Sequence, residues 1–543
     1  MALKRAQLLD TARRWTIPNL KHFQETRQPI VWLLAPLIGL AAGVAAIVFR
    51  LAIGAFQWPW LHTVTEHVAE AARQQPWWVI MLAPAFGGLL VGLLLRYALT
   101  AKRTVAVPDV MEARVNAGRE LDLRQGLISA LTSALSLGCG GSAGREGPIV
   151  HLGACIATSL SRRFNLPNAS RRTLLASGAA GAVAASFNAP IAGVLFAQEV
   201  ILGHFSISTF VPLVLSSVVA TILSQAWFGD VAAFIVPTYR IASYLEVPAF
   251  LLLGVIAALV AVLFQLTILI ADWVARNIDM PLVIRPMAGG LLIGIMAIWF
   301  PEILGVGYDT TDAALKDQIA VSMMLLLIVL KTLATAVTLG SRFGGGVFSP
   351  ALYLGAMTGG AFGLIAASIF PEIGSGEGLY AILGMGAVTA AVLGAPISTT
   401  VMVFELTGGF ELSLALLLTV AVANGINQAI LGRSFFQAQL ESRGIVLQEG
   451  PHRTIMRDIR VSDIMRPLAE DEPKDLPEGE RERALTTDET LETALRAFDT
   501  LGAESLPVVA PHDRGKILGR AEQVRALRVF NRELIAASVE EHR

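Results

Sequence analysis

Five long stretches of the chain carry no Asp, Glu, Lys or Arg: Pro29–Phe49, Trp77–Leu95, His204–Gly229, Val247–Ala271 and Leu379–Phe404. Each predicts a helix long enough to cross the ~30 Å hydrocarbon core of a bilayer. Other uncharged runs are shorter, or are broken by Gly and Pro, as in helices that enter a membrane without spanning it. From about residue 450 the pattern changes to charge-rich. Leu491, Ala494, Leu495, Phe498 and Leu501 share one helical face, with Asp488 or Thr490 as its cap. Ser505–Val509 reads as a strand, followed by a turn at HDRG, a strand at KILG and a helix with Val524, Leu527 and Phe530 on one face. In front of this module, AEDEPKDLPEGERER has the composition of a mobile acidic linker.

Composition sharpens the class. Only 16% of the 543 residues are charged, where soluble domains run near ~25%, so the body is a polytopic helical membrane protein. The expected organisation is a basic segment over residues 1–28, a membrane body over 29–440 and a small α/β module over 450–543. In the first segment Leu8, Leu9, Ala12 and Trp15 share a helical face. Its Lys and Arg residues outnumber Asp10 and Glu25, which predicts a cytoplasmic N-terminus. No cleavable signal pattern precedes the first apolar run. A net charge of −1 gives nucleic acid nothing to bind. Cys139 and Cys155 form no metal-ligand or disulfide spacing.

The membrane body repeats itself. SGAAGAVAASFNAPIAGVLFAQEV (Ser177–Val200) matches LGMGAVTAAVLGAPISTTVMVFEL (Leu383–Leu406), pairing Pro190 with Pro396, Ile191 with Ile397 and Glu199 with Glu405. Upstream, GPIVHLGA (Gly147–Ala154) matches SPALYLGA (Ser349–Ala356) after a shift of four residues. Each copy runs from a glycine-rich loop through Pro and two apolar helices to Ala-Pro-Ile and a helix with one Glu. Such duplication marks transporter-like bodies, whose sites lie where discontinuous helices meet. The paired positions of Glu199 and Glu405 predict a shared structural role, such as capping. Lys331 is expected to snorkel or pair, and His151 and His204 to pack.

The two loops, GREGP and GGGVFSP, suggest chemistry. Glycines allow close backbone approach, and Pro148 and Pro350 suit a first helical turn. Free N–H groups and the positive dipole end of a helix start attract an anion without placing a full charge in the membrane. Two such starts can converge on one anion. Glu146 then competes with the anion for the same donors and swings out when protonated. The competing reading is a structural Arg145–Glu146 ion pair.

At these residues the sequence resembles the CLC family of chloride channels and chloride/proton antiporters. GREGP (Gly144–Pro148), GVFSP (Gly346–Pro350) and FNAPIAG (Phe187–Gly193) carry the likeness, which runs from about residue 30 to 440. It implies two inverted halves, a homodimer in the plasma membrane with both termini cytoplasmic, and one anion pathway per subunit. It also implies that Glu146 is the external gate and that backbone amides of Arg145, Gly147, Val347 and Phe348 hold anions. The tail resembles a CBS module, from VSDIM (Val461–Met465) and Leu485–Leu534. One repeat is present where two are usual, and GRAEQVRA (Gly519–Ala526) lacks the residues that would hold a nucleotide.

Three departures bear on mechanism. TVAVP (Thr104–Pro108) puts Val105 at the family's anion-binding serine, and GRSFF (Gly432–Phe436) puts Phe436 at its central tyrosine. Val200 replaces the internal proton-relay glutamate of many antiporters. The expectation is therefore channel-like chloride transport without cofactor or metal, with chloride/proton antiport as the alternative. A membrane-embedded enzyme is the remote third reading, because no nucleophile–base pair or metal-ligand motif stands at depth.

Overall fold

The computed structural model describes residues 16, 23–24, 27–115, 121–229, 234, 241, 243–370, 376–408, 412–445, 456, 459–468, 472–473 and 475–542. The amphipathic reading of residues 1–15 lies outside them. The chain divides into two compact units, Met1–Phe205 with Thr209–Ile445, and Ser206–Ser208 with Val446–Arg543.

The first unit is helical throughout. In order it contains α1 (Gln28–Leu61), α2 (Val68–Arg73), α3 (Trp77–Tyr97), α4 (Val107–Val115), α5 (Leu123–Gly138), α6 (Glu146–Arg162), α7 (Asn168–Phe187), α8 (Pro190–Phe196) and α9 (Ile207–Phe228). There follow α10 (Val247–Asn277), α11 (Ile284–Trp299), α12 (Tyr308–Leu315), α13 (Val321–Gly340), α14 (Phe348–Ile369), α15 (Glu377–Leu393), α16 (Pro396–Thr407), α17 (Ser413–Leu431) and α18 (Phe435–Glu441). Among the described residues seven helices are long and apolar enough to cross a membrane.

Four of the uncharged runs are single helices, namely α1, α3, α9 and α10. The fifth is not. Leu379–Phe404 is cut into α15 and α16, because Gly394 takes a left-handed conformation and Pro396 opens the next helix. Asn188 and Pro190 make the same break between α7 and α8. The Ala-Pro-Ile motif that marks the repeat is therefore also its helix break. Conversely, α13 crosses although Lys331 interrupts its apolar run. This lysine is fully buried and its Nζ donates to the carbonyls of Ile303 and Gly305, at 3.0 and 2.9 Å. It does not snorkel; its pairing is with these carbonyls, with the Tyr353 ring and, by charge, with Asp309.

The two repeats cap each other. The Glu405 carboxylate accepts the N–H groups of Ile191 and Ala192 at the start of α8, at 2.9 and 2.7 Å. The Glu199 carboxylate accepts those of Ile397 and Ser398 at the start of α16, at 3.1 and 2.7 Å. Each glutamate satisfies orphan donors of the other half's broken helix and meets its positive dipole end. Glu199→Ala and Glu405→Ala should each cost about 1–2 kcal/mol. Their melting temperatures in detergent should fall by similar amounts, and a loss in one variant alone would contradict the reciprocal role. Past α8 the helix widens into a π-helical turn, Ala197–Leu202, which contains Glu199 and Val200.

The second unit holds a four-stranded sheet of order β1-β4-β3-β2, with β1 (Met465–Pro467), β2 (Leu485–Thr486), β3 (Ser505–Ala510) and β4 (Asp513–Glu522). Its helices are α19 (Val461–Ile464), α20 (Leu491–Leu501) and α21 (Gln523–His542). Thr490 is the cap of α20, its hydroxyl accepting the Thr493 N–H. The last strand is longer than KILG: Ala510 pairs with Asp513 across a two-residue turn, and a bulge follows. Of the three residues expected on one face of the final helix, Phe530 alone packs on the core. Val524 and Leu527 are exposed, while Ala526 is buried and Val529 and Phe530 pack on the core. Part of the acidic segment is anchored, since Leu476 and Ala484 pack with Val509 and Ile517. Glu472 within it pairs with Arg466 at 2.7 Å.

Candidate functional site

The site is assembled by a second exchange between the repeats. Helices α5 and α13 deliver the two glycine-rich loops. Gly144 and Gly346 form an antiparallel bridge, each N–H donating to the other's carbonyl at 2.7 Å. The Ser142 N–H donates to Thr338 Oγ1 at 3.1 Å, and the Gly344 N–H donates to Ser136 Oγ at 2.9 Å. These residues stand at one common offset along the chain, so each loop is held by the other half's preceding helix. Antiparallel pairing is the sense expected of inverted copies.

Two helix starts are thereby brought together. Helix α6 begins at Glu146 and α14 at Phe348, each with its Pro at the third position. Their first N–H groups have no intrahelical acceptor. Gly147, Val347 and Phe348 line one cavity with Glu146, while Phe187 and Phe196 stack on the Phe348 ring at 4.9 and 6.3 Å. The wall also includes Thr104, Ala106, Phe436, Arg103, Arg342 and Arg443. Arg103 is paired with Asp109 at 2.5 Å, and Arg342 lies 3.9 Å from Asp272. The cavity thus combines backbone donors and a carboxylate with partly neutralised arginines.

Glu146 is almost fully buried. Its Oε1 accepts from Ser349 Oγ at 2.5 Å and from Tyr308 Oη at 3.2 Å. Its Oε2 has no hydrogen-bond partner. The side chain folds back on its own loop, so a Cβ at Gly144 would stand 2.5 Å from Oε2. A side chain at this position would push the carboxylate out of its present place.

Arg145 points elsewhere. Its guanidinium pairs with Glu66, which also pairs with Arg50, and it donates to the Ser186 carbonyl at 3.1 Å. No Arg145–Glu146 side-chain pair forms, which removes the structural ion-pair alternative. Arg145 is not among the residues lining the cavity.

The remaining sequence candidates divide. Phe436 lines the cavity, on a helix whose start is fixed by a capping box of Ser434 and Gln437. Val105 does not line it; its N–H donates to Ser129 Oγ at 2.9 Å, and the neighbours Thr104 and Ala106 form the wall. Val200 is buried in the π-helical turn, with Glu199 beside it engaged by α16. Among the described residues no group of three or more His, Cys, Asp or Glu stands together to hold a metal. Tyr308 and Ser349 were not anticipated. Ser349 lay in view within SPALYLGA, but Tyr308 carries no local signal.

Known proteins resemble this chain in sequence and fold. A family model described as voltage gated chloride channel matches residues 87–428. The chain is 36% identical over 389 residues to a chloride channel protein described as ClcB-like from Ralstonia nicotianae, covering 71% of this chain and 90% of the relative. It is 31% identical over 411 residues to the voltage-gated ClC-type chloride channel ClcB of Salmonella typhimurium, covering 75% and 97%. Among solved structures, a slow cyanobacterial Cl−/H+ antiporter superposes with a TM-score of 0.69 at 25% identity, over 76% of this chain and 97% of that one. A eukaryotic CLC transporter superposes with a TM-score of 0.66 at 20% identity, over 92% of this chain and 98% of that one.

Proposed function

The chain belongs to the voltage gated chloride channel family, and from that premise we propose that it carries chloride, or a similar small anion, across a membrane through the site between α6 and α14. The observation that carries this reading is the bridge of Gly144 to Gly346, which sets two helix starts beside one cavity. Backbone N–H groups of Gly147, Val347 and Phe348 hold the anion, and Glu146 gates it from the outer side. The arginines in the cavity wall raise the local anion concentration. Anion efflux from proteoliposomes tests the function.

Transport is channel-like in this reading, because Val200 offers no proton site and Glu199 is engaged in a cap. Coupled Cl−/H+ exchange is the second reading, favoured by the likeness to the cyanobacterial antiporter and by a carboxylate at Glu146. No catalytic chemistry is proposed. The functional unit is a homodimer in the plasma membrane, with both termini cytoplasmic. The second unit acts as a CBS-like module that binds no nucleotide through GRAEQVRA.

One prediction concerns affinity. Phe436 lacks the hydroxyl that a tyrosine would offer at the cavity wall. Phe436→Tyr adds a donor worth about 0.5–1.5 kcal/mol, or roughly two- to tenfold tighter chloride binding by calorimetry. Unchanged binding by a well-folded variant would mean that backbone amides alone set the affinity.

A further inference from the structure

The Glu146 carboxylate is held on one side only. Both donors to its Oε1, Tyr308 and Ser349, come from the second half of the chain. Loop geometry does not demand the Ser349 hydroxyl, since the matching residue of the first copy is Gly147. Tyr308 opens α12, after a turn whose Gly305 and Gly307 are left-handed. Its ring is fixed edge-on against Phe234 at 5.4 Å and lies under the Arg145 guanidinium at 4.9 Å.

The turn before Tyr308 is pinned from behind. Lys331 donates to two of its carbonyls, those of Ile303 and Gly305. The same Nζ stands 5.0 Å over the ring of Tyr353, one helical turn beyond Ser349 on α14. Burying a lysine is costly, so the carbonyls that accept from Lys331, together with the attraction of Asp309, fix the backbone around it. It links α13 to the segment that presents the Tyr308 hydroxyl.

We propose that Tyr308 and Ser349 form a two-hydroxyl clasp on the ionised Glu146, which sets the pH at which the gate opens, and that Lys331 is a positioning residue for Tyr308. The proposal rests on the reading of Glu146 as the gate. Hydroxyl donors favour the charged carboxylate over its protonated form. Each donor therefore keeps the gate shut down to a lower pH. The charged groups nearby are Arg145 from its own loop, Glu66, which pairs with both Arg145 and Arg50, Lys331 behind Tyr353, and Asp309 and Glu302 on the Lys331 and Tyr353 side. Tyr308→Phe and Ser349→Ala leave all of them in place.

The experiment is chloride efflux from proteoliposomes over a series of external pH values. The variants are Tyr308→Phe, Ser349→Ala, Lys331→Met, the Tyr308→Phe/Lys331→Met pair and Glu146→Gln. Tyr308→Phe and Ser349→Ala should each move the activation midpoint up by about one pH unit. Lys331→Met should move it in the same direction and add little to Tyr308→Phe. Fully additive shifts would remove Lys331 from the clasp. If it does not assemble, the Tyr308 and Ser349 variants still decide the proposal. Midpoints unchanged in both, with Glu146→Gln insensitive to pH, would overturn the clasp and leave the gate standing. A pH response surviving in Glu146→Gln would overturn the gate, and the clasp with it.

Discussion

Glu146→Gln should give anion flux that no longer follows external pH. In the wild-type chain the carboxylate lies beside the two helix starts, held by the Tyr308 and Ser349 hydroxyls. In the proposed mechanism acid neutralises it and removes a negative charge from the anion's path. Glutamine has no such titration, so the pH profile of efflux should flatten, and Glu146→Ala should flatten it as well. Two different side chains separate loss of charge from loss of volume. A normal profile in both variants would exclude Glu146 as the gate.

The second large effect is an absence of coupling. Proton exchange needs a carboxylate at each end of a path, or ordered water in place of one. Glu146 supplies one end, but at the other Val200 can neither bind nor release a proton. Glu199 already accepts the Ile397 and Ser398 N–H groups, and moving it would uncap α16. A chloride gradient, with potassium and valinomycin fixing the voltage, should drive little uphill proton movement. Robust proton uptake at a fixed ratio to chloride, abolished by Glu146→Gln, would point instead to a water-filled inner path.

The sequence was most legible where backbone chemistry leaves a residue signature. Gly and Pro at a helix start, and Ala-Pro-Ile at a helix break, expose the repeat, the two loops and Glu146 without any three-dimensional information. The paired positions of Glu199 and Glu405 announced a common role, although the crosswise exchange of caps appears only on folding. Apolar runs were a weaker guide. Lys331 concealed one crossing helix, because hydropathy cannot foresee a buried ammonium satisfied by carbonyls. The Leu379–Phe404 run concealed a break, since it carries no charge on either side of Gly394. Tyr308 was invisible because its contact with Glu146 bridges 162 positions of sequence. In the second unit, periodicity identified the last helix and the packing of Phe530, but Val524 and Leu527 on the same predicted face are exposed. Val524 and Leu527 are more apolar than Ala526, yet the small side chain is the one buried against the sheet.

The central claim is that chloride crosses through the amide site under control of Glu146. Chloride efflux from proteoliposomes of the wild-type chain, with external pH recorded in the same vessel, tests it most directly. The account predicts chloride release that quickens as the outside is acidified, without a matching proton counterflow. Folded protein that releases no chloride at any external pH would contradict it.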